Sequence, residues 1–187
     1  MAALGQHTPQ NLYFENPVDI DWDLVNGTFR KFLIKDYVKS VKGSKFPDFF
    51  ETPVKPEELN AQIAEFIELR GGLFTGGIVL KEYVDLKKYG SATNEYRAFY
   101  LCGQLLSLCH NSNQPDSCGF VPLDFVNKFT KLLSNYYTVD FAELADGSWI
   151  VIETGDGQVS GLSPNQHVFQ YFDDMRATLR RFCQKLT

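Results

Sequence analysis

Short apolar runs alternate along this chain with longer stretches whose apolar residues recur at helical spacing. Residues 32–38 (Phe-Leu-Ile-Lys-Asp-Tyr-Val) predict a strand, and Lys42-Gly43-Ser44-Lys45 breaks it. Pro56 stands where a helix starts, Leu59, Ile63, Phe66 and Ile67 form one face, and Gly71-Gly72 stops it. After Gly76-Gly77 comes a strand over residues 78–84, and residues 95–109 read as a hairpin folded about Gly103-Gln104. Pro122 opens a second helix with Val126, Phe129 and Leu133 on one face. Tyr137-Thr138-Val139-Asp140 and Trp149-Ile150-Val151-Ile152-Glu153 are two strands joined by a tight Asp146-Gly147 turn. Val168, Phe172, Met175, Leu179, Phe182 and Leu186 then follow at alternating four- and three-residue steps, a stripe that reads as core packing and not as a cofactor box. The class is α+β, with antiparallel hairpins carrying most of the polar chemistry.

Composition narrows this picture only modestly. At 187 residues the chain suits one generous domain, or one domain with appendages. A hydrophobic share of 44%, with 16 Phe and 9 Tyr, supplies ample core. The net charge of −5 disfavours non-specific nucleic-acid binding, although Lys31, Lys35, Lys39, Lys42 and Lys45 crowd one segment and Lys81, Lys87 and Lys88 another. No apolar run approaches the roughly 20 residues that span a bilayer. Residues 1–10 lack a basic region followed by an apolar core and read as a loose arm. Cys102, Cys109 and Cys118, even with His110, lack zinc-site spacing, so reduced thiols are expected and a cytoplasmic location fits.

The chemistry concentrates in four places. Asp140 lies among apolar and β-forming residues, and Glu153 directly follows an apolar run. A carboxylate on a largely apolar strand is costly unless a cation or hydrogen-bonding partner compensates it, and two on paired strands suit Mg²⁺ held against a nucleotide phosphate. In Lys35-Asp36-Tyr37-Val38-Lys39, strand alternation puts both lysines on one face, which suits a polyanion, or equally an exposed edge strand that resists aggregation. Lys81-Glu82-Tyr83-Val84 either presents backbone groups to an adenine edge or is a strand end meeting solvent. In Glu95-Tyr96-Arg97-Ala98-Phe99, Arg97 needs an anionic partner. It clamps a phosphate or acyl-phosphate oxygen, or it forms a structural pair with Glu95 or Asp140.

Together these constellations, in this order, resemble an ATP-grasp catalytic core. The residues that carry the resemblance are 32–40, 77–84, 94–106 and 137–162. The stretch Ile152-Glu153-Thr154-Gly155-Asp156-Gly157-Gln158-Val159-Ser160-Gly161-Leu162 is similar to a compact bacterial and phage ATP-grasp clade named for an Arg and lysines. The resemblance implies an ATP-grasp-like α+β fold with two subdomains clasping a nucleotide: an arm or domain remnant over residues 1–28, a smaller lobe over 29–84 and a larger lobe over 85–187. It implies ATP and Mg²⁺ as cofactors, with Lys35 or Lys39 and Lys81 on the phosphates. Glu82, Tyr83 and Val84 would lie at the hinge beside adenine, with Glu95 also among the nucleotide contacts. Arg97 would face the γ-phosphate, and Asp140 and Glu153 would ligate the metal.

Two departures accompany the resemblance. Gly155 stands where many ATP-grasp enzymes carry an Asn, so Asp156 is a substitute metal ligand in this reading. About thirty residues precede the Lys35 strand, too few for the preceding α/β domain of family enzymes. The implied activity is ligation: a carboxylate activated as an acylphosphate and captured by an amine or thiol, with an amino acid or peptide as the acceptor by analogy. The alternative is a nucleotide-binding module without ligase chemistry, an assembly factor or regulator like a eukaryotic initiation-factor chaperone similar to the ATP-grasp fold.

Overall fold

The computed structural model describes residues 2–41 and 45–184. Lys42 and the rest of the expected break before Lys45, and Leu186 at the end of the apolar stripe, lie outside the described residues. The chain divides into two compact units, one over Pro9–Val84 and one that combines Asp85–Thr187 with the segment ending at Thr8.

A single turn, α1 (Ala2–Gly5), opens the chain, and the loose arm expected there is instead anchored. Leu4 packs against the core of the second unit, the His7 carbonyl accepts a hydrogen bond from Val151 N at 2.7 Å, and the His7 ring meets Phe125 edge-on at 5.1 Å. The residues that follow belong to the Pro9–Val84 unit. Strand β1 (Asn11–Phe14) pairs with a later strand, and α2 (Trp22–Thr28) is capped by Asp21, which accepts from Leu24 N. Next come β2 (Lys31–Lys35), β3 (Phe50–Glu51), α3 (Pro56–Arg70) and β4 (Ile78–Glu82). The sheet is antiparallel in the order β1-β4-β2-β3. Alternation along β2 sends Phe32 and Ile34 inward with Ile78 and Leu80, where Leu59, Ile63 and Phe66 of α3 complete the core.

The expected strand over residues 32–38 is shorter than its apolar content suggests. It stops at Lys35 because Asp36, fully buried, folds the chain back on itself. Its Oδ1 accepts from Val38 N at 2.7 Å and Lys39 N at 2.6 Å, an Asx turn. Its Oδ2 accepts from Arg70 Nε at 2.8 Å and Thr75 N at 3.3 Å. Burial pushes this carboxyl up, but the backbone hydrogen bonds and Arg70 outweigh it and hold it below the usual aspartate value. The strand expected over residues 78–84 likewise ends early, at Glu82.

The other unit begins with a small ribbon, β5 (Lys88–Tyr89) and β6 (Ala92–Thr93). Then come β7 (Glu95–Leu101), β8 (Gln104–His110), α4 (Leu123–Asn127), β9 (Tyr136–Glu143), β10 (Trp149–Asp156) and α5 (Val168–Gln184). The main sheet is antiparallel in the order β10-β9-β7-β8. The β7–β8 turn falls on Cys102-Gly103, one residue earlier than expected. Both have positive φ, 50° and 77°, as a type I′ hairpin requires, and Gly103 meets that demand without strain. Helix α4 is a short turn, so Leu133 lies beyond it and is exposed, while Val126 and Phe129 are buried as expected. One face of the sheet (Tyr96, Ala98, Tyr100, Tyr137, Val139, Phe141) builds the core with Val126 and Phe129.

Helix α5 overturns one expectation. Its inward residues are Tyr171 and Thr178, with Tyr171 set edge-on against Phe99 at 5.1 Å and hydrogen-bonded to the Tyr136 hydroxyl. The apolar stripe lies one residue further round, so Val168, Phe172 and Leu179 are exposed and not core.

Candidate active site

The site grows out of the register of three strands. Arg97 of β7 stands directly opposite Asp140 of β9, and Asp140 stands opposite Glu153 of β10. Directly opposed residues share a face, so the three side chains form a row across the sheet on the side away from the aromatic core. Glu153 reaches this row through a β-bulge. Val151 pairs with Phe141, the register then slips at Ile152, and Glu153 pairs with Asp140. Without that extra residue Glu153 would lie opposite Val139, on the core face, because a one-residue slip moves every side chain to the other side.

Arg97 and Asp140 make a fork-to-fork bond: Nε donates to Oδ1 at 2.8 Å and Nη2 to Oδ2 at 2.7 Å. Arg97 Nη1 donates to the Gly161 carbonyl at 2.9 Å. The Asp140 hydrogen bond, with Glu153 adding to the field, holds the guanidinium above its ordinary pKa. Asn111 Nδ2 makes a longer contact to Asp140 Oδ2 at 3.4 Å, and Asn111 Oδ1 accepts from Ser163 Oγ at 3.2 Å. Glu153 is exposed, and its carboxylate is recorded in no hydrogen bond or ion pair with the described residues.

The stretch after β10 folds back over this face. Ser160 Oγ lies 2.9 Å from Thr138 Oγ1, and a Cβ on Gly155 would come within 2.8 Å of that Ser160 oxygen and 2.9 Å of Thr138 Oγ1. The departure at Gly155 thus has a packing cause: the returning chain occupies the space a side chain would need.

Counting donors and acceptors shows what the row can still bind. A guanidinium has about five N–H groups and a carboxylate about four acceptor positions. Arg97 uses three N–H groups on Asp140 and Gly161, and Asp140 receives three contacts, which leaves two donors and one acceptor position. Among the described residues no group of three or more His, Cys, Asp or Glu side chains is placed to hold a metal ion. Two adjacent carboxylates nevertheless fit Mg²⁺, which takes one or two of them and completes its shell with phosphate oxygens and water. Asp156 is not part of that pair. It lies opposite Tyr137, on the other face, and its Oδ1 accepts from Gln158 N at 2.8 Å.

The remaining expected residues fall as follows. Glu95 shares the Arg97 face, and its carboxylate accepts from the Thr93 hydroxyl, so Arg97 takes Asp140 and not Glu95 as its partner. In the Pro9–Val84 unit, Lys35 pairs in register with Val79 and Leu33 with Lys81, so Lys35 and Lys81 share the sheet face away from α3. Lys31 shares it too, a position that strand alternation in the sequence could have found. Lys39 does not join them through alternation: it sits beyond the Asp36 turn, where Ser40 bridges back to Lys35. The Glu82 carboxylate accepts from Gln10 N at 3.0 Å, and Tyr83 N donates to Lys31 O at 2.9 Å. Tyr83 packs on the Phe49 ring at 4.6 Å, and Val84 is half-buried.

Three polar groups escape a reading of the sequence. Asn111 and Ser163 become neighbours of Asp140 only through the fold, and no local pattern marks them. Glu143 is buried, with Lys87 Nζ at 2.7 Å, Tyr89 Oη at 2.9 Å and Asn94 Nδ2 at 2.8 Å. Burial raises its carboxyl, but those hydrogen bonds outweigh burial and leave it below the usual glutamate value. Its sequence signal is present: an acid three residues after Asp140 on an apolar strand lies on the opposite face.

Comparison with known proteins agrees with this architecture. The macrocyclase MdnC from Microcystis aeruginosa MRC, bound with precursor peptide MdnA, is 17% identical with a TM-score of 0.51, over 93% of this chain and 56% of that one. D-alanyl-alanine synthetase A from Vibrio cholerae O1 biovar eltor str. N16961 is 10% identical with a TM-score of 0.51, over 89% of this chain and 55% of that one. The ATP-grasp ligase PsnB, complexed with minimal precursor, Mg and ADP, is 12% identical with a TM-score of 0.48, over 83% of this chain and 46% of that one. The chain thus spans about half the length of the proteins it matches. No curated protein matches its sequence. A family profile for an ATP-grasp domain, family 3 of the clade named for an Arg and lysines, matches residues 22–181, most of the chain. With that match and the α+β architecture of antiparallel sheets, the chain belongs to this clade's family 3 of ATP-grasp domains.

Proposed function

We propose that this protein is an ATP- and Mg²⁺-dependent ligase that activates a carboxylate for attack by an amine or similar nucleophile. The observation that carries the reading is the Arg97–Asp140–Glu153 row, where a fixed cation stands beside one partly satisfied carboxylate and one exposed carboxylate. When bound, MgATP supplies the phosphoryl group that turns a substrate carboxylate into an acylphosphate, and the metal offsets charge at the phosphates.

The chain's own residues do the rest. Asp140 and Glu153 hold the metal, and Arg97 turns its two remaining N–H groups toward the γ-phosphate while Asp140 fixes its plane. Lys35 and Lys81, with Lys39 beyond the turn, supply cationic contacts to the phosphates. Residues 82–84 border the adenine, with Glu95 near the nucleotide. The acceptor is an amino acid or peptide amine, in keeping with MdnC bound with its precursor peptide. No helix among the described residues is long and apolar enough to cross a membrane, and the proposed location is the cytoplasm.

A second reading, a nucleotide-binding module acting as an assembly factor or regulator, is favoured by Gly155 at the usual Asn position and the lack of a third metal-binding side chain among the described residues. ADP release against a panel of carboxylates and amines separates the two. The ligase reading expects turnover with at least one pair, abolished by Glu153→Gln while nucleotide binding without magnesium persists. MgATP binding with no turnover across the panel supports the module, and a folded protein that binds no MgATP overturns both.

A further inference from the structure

Helix α5 carries an apolar stripe with no cover. Val168, Phe169, Phe172 and Leu179 are exposed by 47%, 82%, 55% and 42%. Phe172, Met175 and Leu179 also line an open trough with Arg176, Arg180 and Cys183. The spacing Val168, Phe172, Met175, Leu179, Phe182 alternates steps of four and three, the period of a seam between two packed helices and not of a helix lying on a sheet. The sheet side of α5 is already served by a different line, Tyr171 and Thr178. The stripe therefore fits a second helix.

The charges say which helix. Within α5 the acids Asp173 and Asp174 precede the bases Arg176, Arg180 and Arg181, and neither sign recurs in the other's half. Helix-dipole compensation does not account for this order. Such compensation acts within the first and last turns, yet the first turn has no acid and only Arg181 lies in the last. The one ion pair recorded within the helix, Arg176 to Asp173 at 2.9 Å, has both side chains 65% exposed and adds little. An antiparallel copy of the same helix brings Asp173 and Asp174 level with Arg180 and Arg181 of its mate twice over. A parallel copy opposes like charges.

We propose that the protein self-associates through α5 as an antiparallel, two-fold symmetric helix pair, seated on the Phe172–Leu179 stripe and oriented by the acidic and basic halves of the helix. This surface is independent of the Arg97–Asp140–Glu153 row and of what that row does.

Sedimentation velocity on the full chain across a micromolar dilution series tests this. The wild type is expected as a concentration-dependent dimer. Phe172→Glu with Leu179→Glu, both at exposed positions, is expected to be a folded monomer with association weakened by about 100-fold or more. Reversing the acids (Asp173→Arg with Asp174→Arg) weakens association, as does reversing the bases (Arg180→Asp with Arg181→Asp). The two reversed proteins, mixed, form a heterodimer more tightly than either self-associates, since each predominantly acidic helix then faces a basic one. A wild-type monomer at all concentrations overturns the proposal. So does a dimer that survives the Phe172→Glu, Leu179→Glu change, and so does a mixture of the two reversed proteins that stays monomeric.

Discussion

The two units each contain an aspartate held by an arginine, and the pairs differ in what they leave over. In the Pro9–Val84 unit, Asp36 receives four hydrogen bonds, two from the backbone of its own turn and two from Arg70 and Thr75. Every acceptor position is filled and the side chain is inaccessible, so the pair fastens the turn after β2 and does no more. In the other unit, Asp140 is gripped more symmetrically by Arg97 but keeps one acceptor position, and an exposed carboxylate, Glu153, stands beside it. A closed pair indicates architecture. A pair with capacity left over, next to a second like charge, indicates a place for a cation.

That contrast can be broken at both ends. Asp36→Ala removes one member of a buried ion pair and leaves Arg70 without its carboxylate, so denaturant unfolding is expected to show a loss of about 3–5 kcal/mol. Asp140→Asn keeps the shape and most hydrogen bonds. It is expected to lower ATP-dependent turnover by about 100-fold or more while shifting the melting temperature far less than Asp36→Ala does. Equal stability losses from the two would erase the distinction between a closed and an open pair.

Gly155→Asn sharpens the account of the departure. It supplies the residue many ATP-grasp enzymes carry, but its Cβ meets Ser160 and Thr138, so a destabilisation of about 1–3 kcal/mol without gain in metal affinity is expected. A stable variant that binds Mg²⁺ more tightly would show that the returning chain yields easily. The smallest effect is in acid. The Asp36 and Glu143 carboxyls sit below their ordinary values, so the unfolded chain binds more protons near pH 4. Their stabilisation is complete above about pH 5 and is lost as pH falls through the lowered values. Urea midpoints measured from pH 6 to pH 3 should fall, and Glu143→Gln should flatten part of that slope.

The local patterns are well written in the chain: Pro56 and Gly71 bound α3, and Asp146-Gly147 turns the β9–β10 hairpin. Asp140 and Glu153 are visible because carboxylates on apolar strands stand out. What is not legible depends on distant partners. The strand after Phe32 ends early because Asp36 finds Arg70 and Thr75, more than thirty residues away in sequence. Asp156 looks equivalent to Glu153 until the bulge at Ile152 sets the faces, and bulges leave little trace in composition. The α5 stripe reads as core in the sequence because periodicity reports that a helix has an apolar face and not what covers it.

Calorimetric titration of the protein with ADP, with and without magnesium, on the wild type and on Glu153→Gln, reads the central claim most directly. The account predicts magnesium-enhanced binding in the wild type, with the enhancement cut by about 10–100-fold in Glu153→Gln while metal-free binding is unchanged. Binding that ignores magnesium, or an enhancement that survives Glu153→Gln intact, would contradict it.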